Sequence, residues 1–418
     1  MGVIALALGA SARYFTAPTP AVAVVSPDRN TPTLTPTGNG HLRFEPIWQL
    51  SAPALVDLAI APNGESVAWV DRHGSIRRID TETRRTVWET PPYPRLDSLR
   101  LSTHGDVLAF SRLNPTQTSV RFLDAARGPL KTALIPVQGA VWSAAITPDG
   151  RQAVIGTGNS LLYFLPMRHN AIFAGTPITV PGIPESITAT TLKVPQPAPK
   201  GGTAEETVAL VGTWEDGSVC AWGSDRLPRW IHEERRPDAS YQVTVSQDGS
   251  TAAAVAYFGP HRESARLHVW DMTTGKLRFI EDLKGFAPQV AVSANGQQIA
   301  VTYARAKAGT GERPPDADRD VERKITLFDR AGRRLFEEKG GIFFAPELIG
   351  ISADGRRLTV RDPHGTIWTL DHRGRTIARL TSAGKSRQLL RALTTEDGRY
   401  LLLYHSDNTL SLYRAVAS

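Results

Sequence analysis

Residues 290–301 read VAVSANGQQIAV: an apolar strand, a small-residue turn ending in Gly296, and a second apolar strand. The same shape stands at 58–70 (LAIAPNGESVAWV), 99–110 (LRLSTHGDVLAF), 144–156 (AAITPDGRQAVIG) and 243–256 (VTVSQDGSTAAAVA). It returns at 350–360 (GISADGRRLTV) and 392–404 (ALTTEDGRYLLLY). Asn-Gly and Asp-Gly recur because tight hairpin turns need positive φ, which Gly and Asn tolerate. The double gap between Gly150 and Gly249 hides one more copy, SITATTLKV and TVALVGTW joined by an enlarged turn, PQPAPKGGTAEE.

Each unit continues into a third strand, usually closed by Asp, as in GSIRRID (74–80), SVRFLD (119–124), RLHVWD (266–271) and KITLFD (324–329). A fourth follows a polar turn in RTVWET, PRWIHE, KLRFIE, RRLFEE and RTIARL. Four antiparallel strands in a repeat of about 45 residues make the blade of a β-propeller. One blade cannot bury both faces of its sheet, so neighbours stack into a ring. The expectation is an all-β, eight-bladed β-propeller of four-stranded antiparallel blades over residues 46–418. Seven blades is the alternative, if the enlarged fourth unit is an insertion. The last unit stops after its third strand at Tyr413, and a stray apolar strand, PIWQL (46–50), precedes the first. Pairing the two closes the ring with an N-terminal strand and leaves no open edge.

The repeats of 54–413 resemble the WD40 superfamily, most closely in LHVWDMTTGKLRFIEDL (267–283), with Trp270-Asp271 ending a third strand. The departure is that no unit opens with the Gly-His pair of that family, so its buried His–Asp network is largely not implied. A second resemblance is to eight-bladed quinoprotein-like propellers. Asp80…Trp88, Asp271…Phe279 and DGSVCAWGSDRLPRWIHEE (216–234) are similar to their D-x-x-T-G-x-x-x-W repeat, in which a Trp docks blade on blade. The quinone enzymes of that family pair adjacent cysteines and chelate calcium beside the cofactor. Cys220 is the chain's sole cysteine and cannot form such a pair, so the resemblance is one of scaffold rather than activity.

The 418 residues carry 48 Lys and Arg against 41 Asp and Glu, a net charge of +7, with Gly 35 and Pro 30. A lone cysteine excludes a disulfide framework and a thiolate zinc site. Residues 3–10, VIALALGA, form a short apolar run ending in Ala10-Ser11-Ala12, the pattern of a signal or anchor segment without its basic start. Residues 1–15 are therefore read as an apolar signal or anchor remnant. Residues 16–45 are read as a stiff Pro/Thr-rich linker. Export or tethering at the cell envelope (periplasm or membrane surface) is the expectation, a cytoplasmic location the alternative.

Catalytic motifs fail on inspection. His232-Glu233 begins an HExxH, but Arg236 stands where the second His belongs. Asp316, Asp318 and Asp320 have calcium-loop spacing, but Val321 and Leu327 replace the required Gly and Glu. Gly384-Lys385-Ser386 ends like a phosphate loop, with Arg379 in place of its first Gly. No catalytic residue, metal site or cofactor is expected. Basic residues never exceed two in a row and acidic ones intervene, so nucleic acid is not an expected partner. The turns between second and third strands, together with the inter-blade loops, gather a candidate interaction rim. It comprises Arg72, His73, Arg95, Arg235, Arg236, His261, Arg262, Arg305, Lys307, Arg361, His364, Lys385, Arg387 and His405. The insertion at 304–324, rich in charge, Gly and Pro, joins it as a solvated loop. The opposite face carries Arg as well, at Arg151, Arg356, Arg357, Arg373 and Arg399. The function expected is a non-catalytic scaffold for protein–protein contact. Two alternatives stand beside it, a quinoprotein-like or small-ligand-binding propeller and the propeller lobe of a larger enzyme or kinase.

Overall fold

A computed structural model describes residues 42–417 apart from 94–95, 112–118, 169–170, 173–175, 197–201, 214–217, 224, 234–239, 259–263, 284, 307–320, 339–346, 363 and 382–387. The apolar start and the Pro/Thr stretch as far as residue 41 thus lie outside the described residues. What is described is strand and turn, without helix. The strands form eight antiparallel sheets, each a meander from an inner to an outer strand. The inner strands are Leu55–Ile60, Ser98–Leu101, Val141–Ile146, Pro184–Gln196, Ser240–Val245, Phe286–Val292, Glu347–Ile351 and Leu389–Thr394, in blades 1 to 8. Each contacts the next, and the inner strand of blade 8 contacts that of blade 1, so the ring is closed.

Seven of the sheets have one continuous outer strand. In blade 3 the outer place is split between Ala171–Ile172 and Ile178–Thr179, both paired to Leu161–Arg168. This blade is where a count of complete blades gives seven and a count of sheets gives eight. Blade 8 takes its outer strand from the N-terminal side of the chain. Leu42–Ser51 pairs antiparallel with Thr409–Ala417, from Leu42 opposite Ala417 to Ser51 opposite Thr409. The strand expected from Pro46 therefore begins at Leu42.

The apolar runs are explained by burial on both faces. Val67, Ala68, Trp69 and Val70 all lie within 1 % exposure. Val67 and Trp69 pack with Leu402, Leu410 and Leu412 of blade 8, whereas Ala68 and Val70 pack with Leu99, Val107 and Ala109 of blade 2. Every core cluster of this kind spans two adjacent blades, so the core is a ring of interfaces rather than one centre.

The turn after each inner strand repeats a local network. In blades 3, 5, 6, 7 and 8 the sequence is Ser/Thr-x-Asp/Asn-Gly. The hydroxyls of Thr147, Ser246, Ser293, Ser352 and Thr395 donate to Asp149, Asp248, Asn295, Asp354 and Asp397 at 2.6–2.7 Å. The same hydroxyls accept the N–H of the residue five positions on, at 3.0 Å. The glycine that follows has φ between +63° and +71° in these five turns, which is why Gly stands there.

Two further repeats bind blade to blade. The first is polar and sits on the inner strands, most of which carry a bulge before the residue concerned. Side chains of Asp57, Ser143, Ser186, Gln242 and Gln289 accept the N–H of Leu99, Ile187, Val243, Val290 and Leu348 on the following blade, at 2.8–3.3 Å. The second is the aromatic docking implied by the quinoprotein-like repeat. Indole N–H groups of Trp48, Trp88 and Trp230 donate to the carbonyls of Thr81, Ala125 and Met272 on the next blade, at 3.0, 3.1 and 3.2 Å. Gly128 and Gly275 leave room for those rings: a Cβ would stand 2.9 Å from Trp88 and 2.5 Å from Trp230. Phe279 and Phe336 occupy the equivalent place against Gly332 and Gly374. Asp ends the third strand because its carboxylate accepts turn N–H groups, as Asp271 does from Thr274 at 3.0 Å and Asp371 from Arg373 and Arg375 at 2.9 Å.

Candidate functional site

The ring has two faces. One carries the turns between first and second strands, the other those between second and third. On the second of these lies the rim expected from sequence, and it is only partly described. Arg95, Arg235, Arg236, His261, Arg262, Lys307, Lys385 and Arg387 fall outside the described residues. Arg305 is described as backbone alone, opposite Glu322. Arg72 and His73 are exposed in the turn of blade 1, where the His73 N–H donates to Asp71 at 2.8 Å. His364 is exposed in the corresponding turn of blade 7.

Arg361 and His405 are otherwise employed. Arg361 is ion-paired with Glu347 and donates to the carbonyls of Leu389 and Leu390 on blade 8, at 3.3 and 3.1 Å, so its charge links two blades. His405 ends the second strand of blade 8 and is 1 % exposed, which corrects its expected place in a surface turn. The charged insertion is shorter than it reads. Strand continues to Ala306 and resumes at Val321, with Arg305 opposite Glu322 and Ala306 opposite Val321.

The first face holds two further features. One is an arm. The inner and second strands of blade 4, Pro184–Gln196 and Gly202–Thr213, are about twice as long as their equivalents. Thr190 marks where the other blades turn, since its hydroxyl donates to the carbonyl of Ser246 in the turn of blade 5 at 3.2 Å. Beyond it the hairpin runs on with Thr191 opposite Thr207, Lys193 opposite Glu205 and Gln196 opposite Gly202. Six further residues per strand correspond to about 20 Å. The third strand of the blade pairs only with Val208–Gly212, so among the described residues the arm is a two-stranded ribbon. What reads as a twelve-residue turn is mostly strand, because the two segments keep register despite Pro195.

The other feature is a cavity of about 200 Å³ on the axis, walled by the inner strands of blades 5 to 8 and the turns that follow them. Thr244, Gln247 and Glu396 bring polar groups to it; Val245, Val292 and Ile351 bring apolar ones. Glu396 stands exposed in the turn of blade 8, with protein close around it. That crowding, with the charge of Asp397 beside it, pushes its pKa up to about 7. Asp397 stays charged: burial opposes this, but the Thr395 hydroxyl, the Arg399 N–H and the Arg399 guanidinium outweigh it and hold its carboxyl below the ordinary range. Neither feature is visible in composition. The arm could have been found from the alternation that continues through Leu192 and Val194, and Glu396 from being the only acid in the variable position of the Ser/Thr-x-Asp/Asn-Gly turns.

Fold and geometry together define a closed β-propeller of antiparallel, mostly four-stranded blades. No protein-family profile matches the chain, and no curated protein matches it. Solved structures do. The C-terminal WD40 domain of Sif2 is 11 % identical with a TM-score of 0.60, over 89 % of this chain and 98 % of that one. BamB from Moraxella catarrhalis is 15 % identical with a TM-score of 0.56, over 89 % and 100 %. A chain of the Kuenenia stuttgartiensis hydrazine synthase is 14 % identical with a TM-score of 0.53, over 88 % and 97 %. At such identities the likeness is one of fold.

Proposed function

We propose that the chain is a non-catalytic propeller that docks protein partners, with the arm of blade 4 and the turn face around its base as the principal contact surface. The observation that carries this reading is the arm: of the eight hairpins between first and second strands, that of blade 4 is prolonged past the ring, where the other seven close on short turns. Unpaired strand edges supply main-chain donors and acceptors to an extended segment, and loops and ribbons on a rigid scaffold are where propellers vary. The exposed Arg72, His73 and His364 form a second contact surface on the opposite face, suited to acidic groups. The absence of catalysis in this reading rests on the failed motifs of the sequence. Attachment at the cell envelope rests on the apolar run Val3–Ala10 and the Pro/Thr stretch that follows it.

Replacing residues 191–207 by an Asn-Gly turn in the full chain tests the reading. Proximity labelling of both chains in the cells that make them should show partners lost with the arm and retained when 307–320 is shortened instead. Identical partner sets with and without the arm would overturn it.

A further inference from the structure

Among the described residues seven large apolar side chains stand exposed, and four of them gather in one place. Leu227 and Ile231, 59 % and 54 % exposed, are on the outer edge of blade 4, and Leu277 and Ile280 are on that of blade 5. Residues directly opposed in a ladder share a face, so the pairing shows which way each one looks. Ile231 is opposite Cys220, which packs on blade 3, and so lies on the blade 3 side. Trp230 and His232 look the other way, with ring centroids 5.7 Å from Trp270 and 5.3 Å from His268 of blade 5. Leu277 and Ile280 are opposite Trp270 and His268 and therefore face blade 4. The outer strand of blade 4, Pro228–Glu233, thus has exposed apolar groups on both sides, and its outer edge has no neighbouring strand among the described residues.

Such an edge is a template for another strand. Its own sequence indicates which one. Arg229-Trp230-Ile231-His232-Glu233 is complementary to itself when run antiparallel about Ile231: Arg229 meets Glu233, Trp230 meets His232, and Ile231 meets Ile231. A two-fold axis normal to the sheet gives this register and keeps every residue on its own side of the sheet. We propose that the chain forms a two-fold dimer by pairing the outer strands of blade 4 edge to edge, one continuous sheet running through both copies. Ile231 is then covered by its equivalent on the blade 3 side. On the blade 5 side, Trp230 and His232 of the other copy extend over Leu277 and Ile280, so one contact accounts for the apolar groups of both blades. Arg229 and Glu233 are both exposed, and Arg229 stands at the bulge that ends the regular ladder. Its ion pair with Asp225, at 3.0 Å, is compatible with a second one, because a guanidinium has five N–H donors and can serve two carboxylates.

Sedimentation velocity of the full chain, from micromolar to sub-millimolar concentration, should show a monomer–dimer equilibrium. Arg229→Glu and Glu233→Arg each set like charges against one another at both ends of the paired strands. Each should weaken the dimer on the order of a hundredfold. Mixed in equal amounts, the two variants are complementary again and should form a heterodimer, and the chain carrying both changes should recover the homodimer. Circular dichroism and the melting curve establish that all variants are folded. A monomer at every concentration would overturn the proposal. So would a dimer that keeps its affinity through both single reversals, which would place the contact elsewhere on the ring. Failure of the mixture or of the doubly altered chain to recover dimer would overturn it as well, since a contact of any other register gains nothing from restoring this pair.

Discussion

Arg391, on the inner strand of blade 8, is ion-paired with Asp57 on the inner strand of blade 1, 334 positions earlier in the chain. Asp57 also accepts the N–H groups of Leu58 at 3.0 Å and Leu99 at 2.9 Å, so one carboxylate ties blades 8, 1 and 2 together. Around it the seam is made of Leu42–Ser51 pairing with Thr409–Ala417 and of Tyr404, whose hydroxyl accepts the Leu55 N–H at 3.0 Å. The closing interactions therefore run through the first and last described strands.

Removing the two partners of this ion pair should not cost the same. Asp57→Ala leaves a backbone N–H of blade 2 without its acceptor and should cost about 2–4 kcal/mol. The Arg391 side chain is 45 % exposed and gives up less on truncation, about 0–1 kcal/mol. Urea unfolding of both variants and of the double mutant measures the difference; equal costs would show that Asp57 acts only through the ion pair.

The aromatic docking is steric as well as polar. At Gly275, φ is +67° and a Cβ would lie 2.5 Å from the Trp230 ring. Gly275→Ala should destabilise by about 2 kcal/mol or more, since a strained φ and an overpacked contact add. Trp230→Ala should cost about 3–5 kcal/mol. In the double mutant the penalty of the extra methyl should shrink, because the ring it collides with is gone. Additive losses in thermal unfolding would contradict the contact.

Glu396 gives a pH signature with a definite sign. Its folded pKa of about 7 lies above the ordinary 4.5, so between these values the folded chain holds a proton that the unfolded chain has released. Stability should fall as pH rises through that window and level off above it. The groups nearest in charge are Asp397, which stays ionised, and Arg399, engaged on Asp397. The melting temperature of Glu396→Gln minus that of the unaltered chain should grow from pH 4.5 to pH 7 and then stay constant. A difference independent of pH would show that Glu396 titrates as it does in water.

At the acid end the turn aspartates act in the opposite sense. Burial raises Asp371 and Asp354, yet N–H and side-chain donors outweigh it and hold both below the ordinary 3.8. Their contribution is present above that value and is lost as pH falls through their folded pKa. Asp354→Asn should therefore flatten the loss of melting temperature below pH 4. An unchanged acid limb would place the effect elsewhere.

Much of the ring was legible because each blade repeats the same local chemistry. Gly64, Gly150 and Gly296 announced their turns, Asp80 and Asp271 the ends of third strands, and Trp88 and Trp230 the docking of one blade on the next. The hydroxyl network is equally present in Thr147-Pro148-Asp149-Gly150 and Ser246-Gln247-Asp248-Gly249, where a hydroxyl stands two residues before the Asp-Gly pair. What the sequence hid has physical causes. The outer edge of blade 3 is broken into two short pieces without a continuous apolar period. The arm is interrupted by Pro195 and so resembled a loop. Asp57 and Arg391 meet only through closure, which no local pattern encodes. His405 and Arg361 looked like rim residues because both neighbour a turn, yet one is turned into the core and the other clasps blade 8.

Closure by the N-terminal strand is the claim on which the rest stands, and hydrogen exchange of the chain lacking residues 42–53 tests it most directly. That deletion removes the outer strand of blade 8 together with Phe44, Trp48 and Leu50, all within 6 % exposure, at about 1.5–3 kcal/mol for each. The account predicts loss of amide protection in all eight blades together, in a single unfolding transition at a lower temperature. Protection lost in Leu389–Ala417 alone, with blades 1 to 7 unchanged, would contradict it.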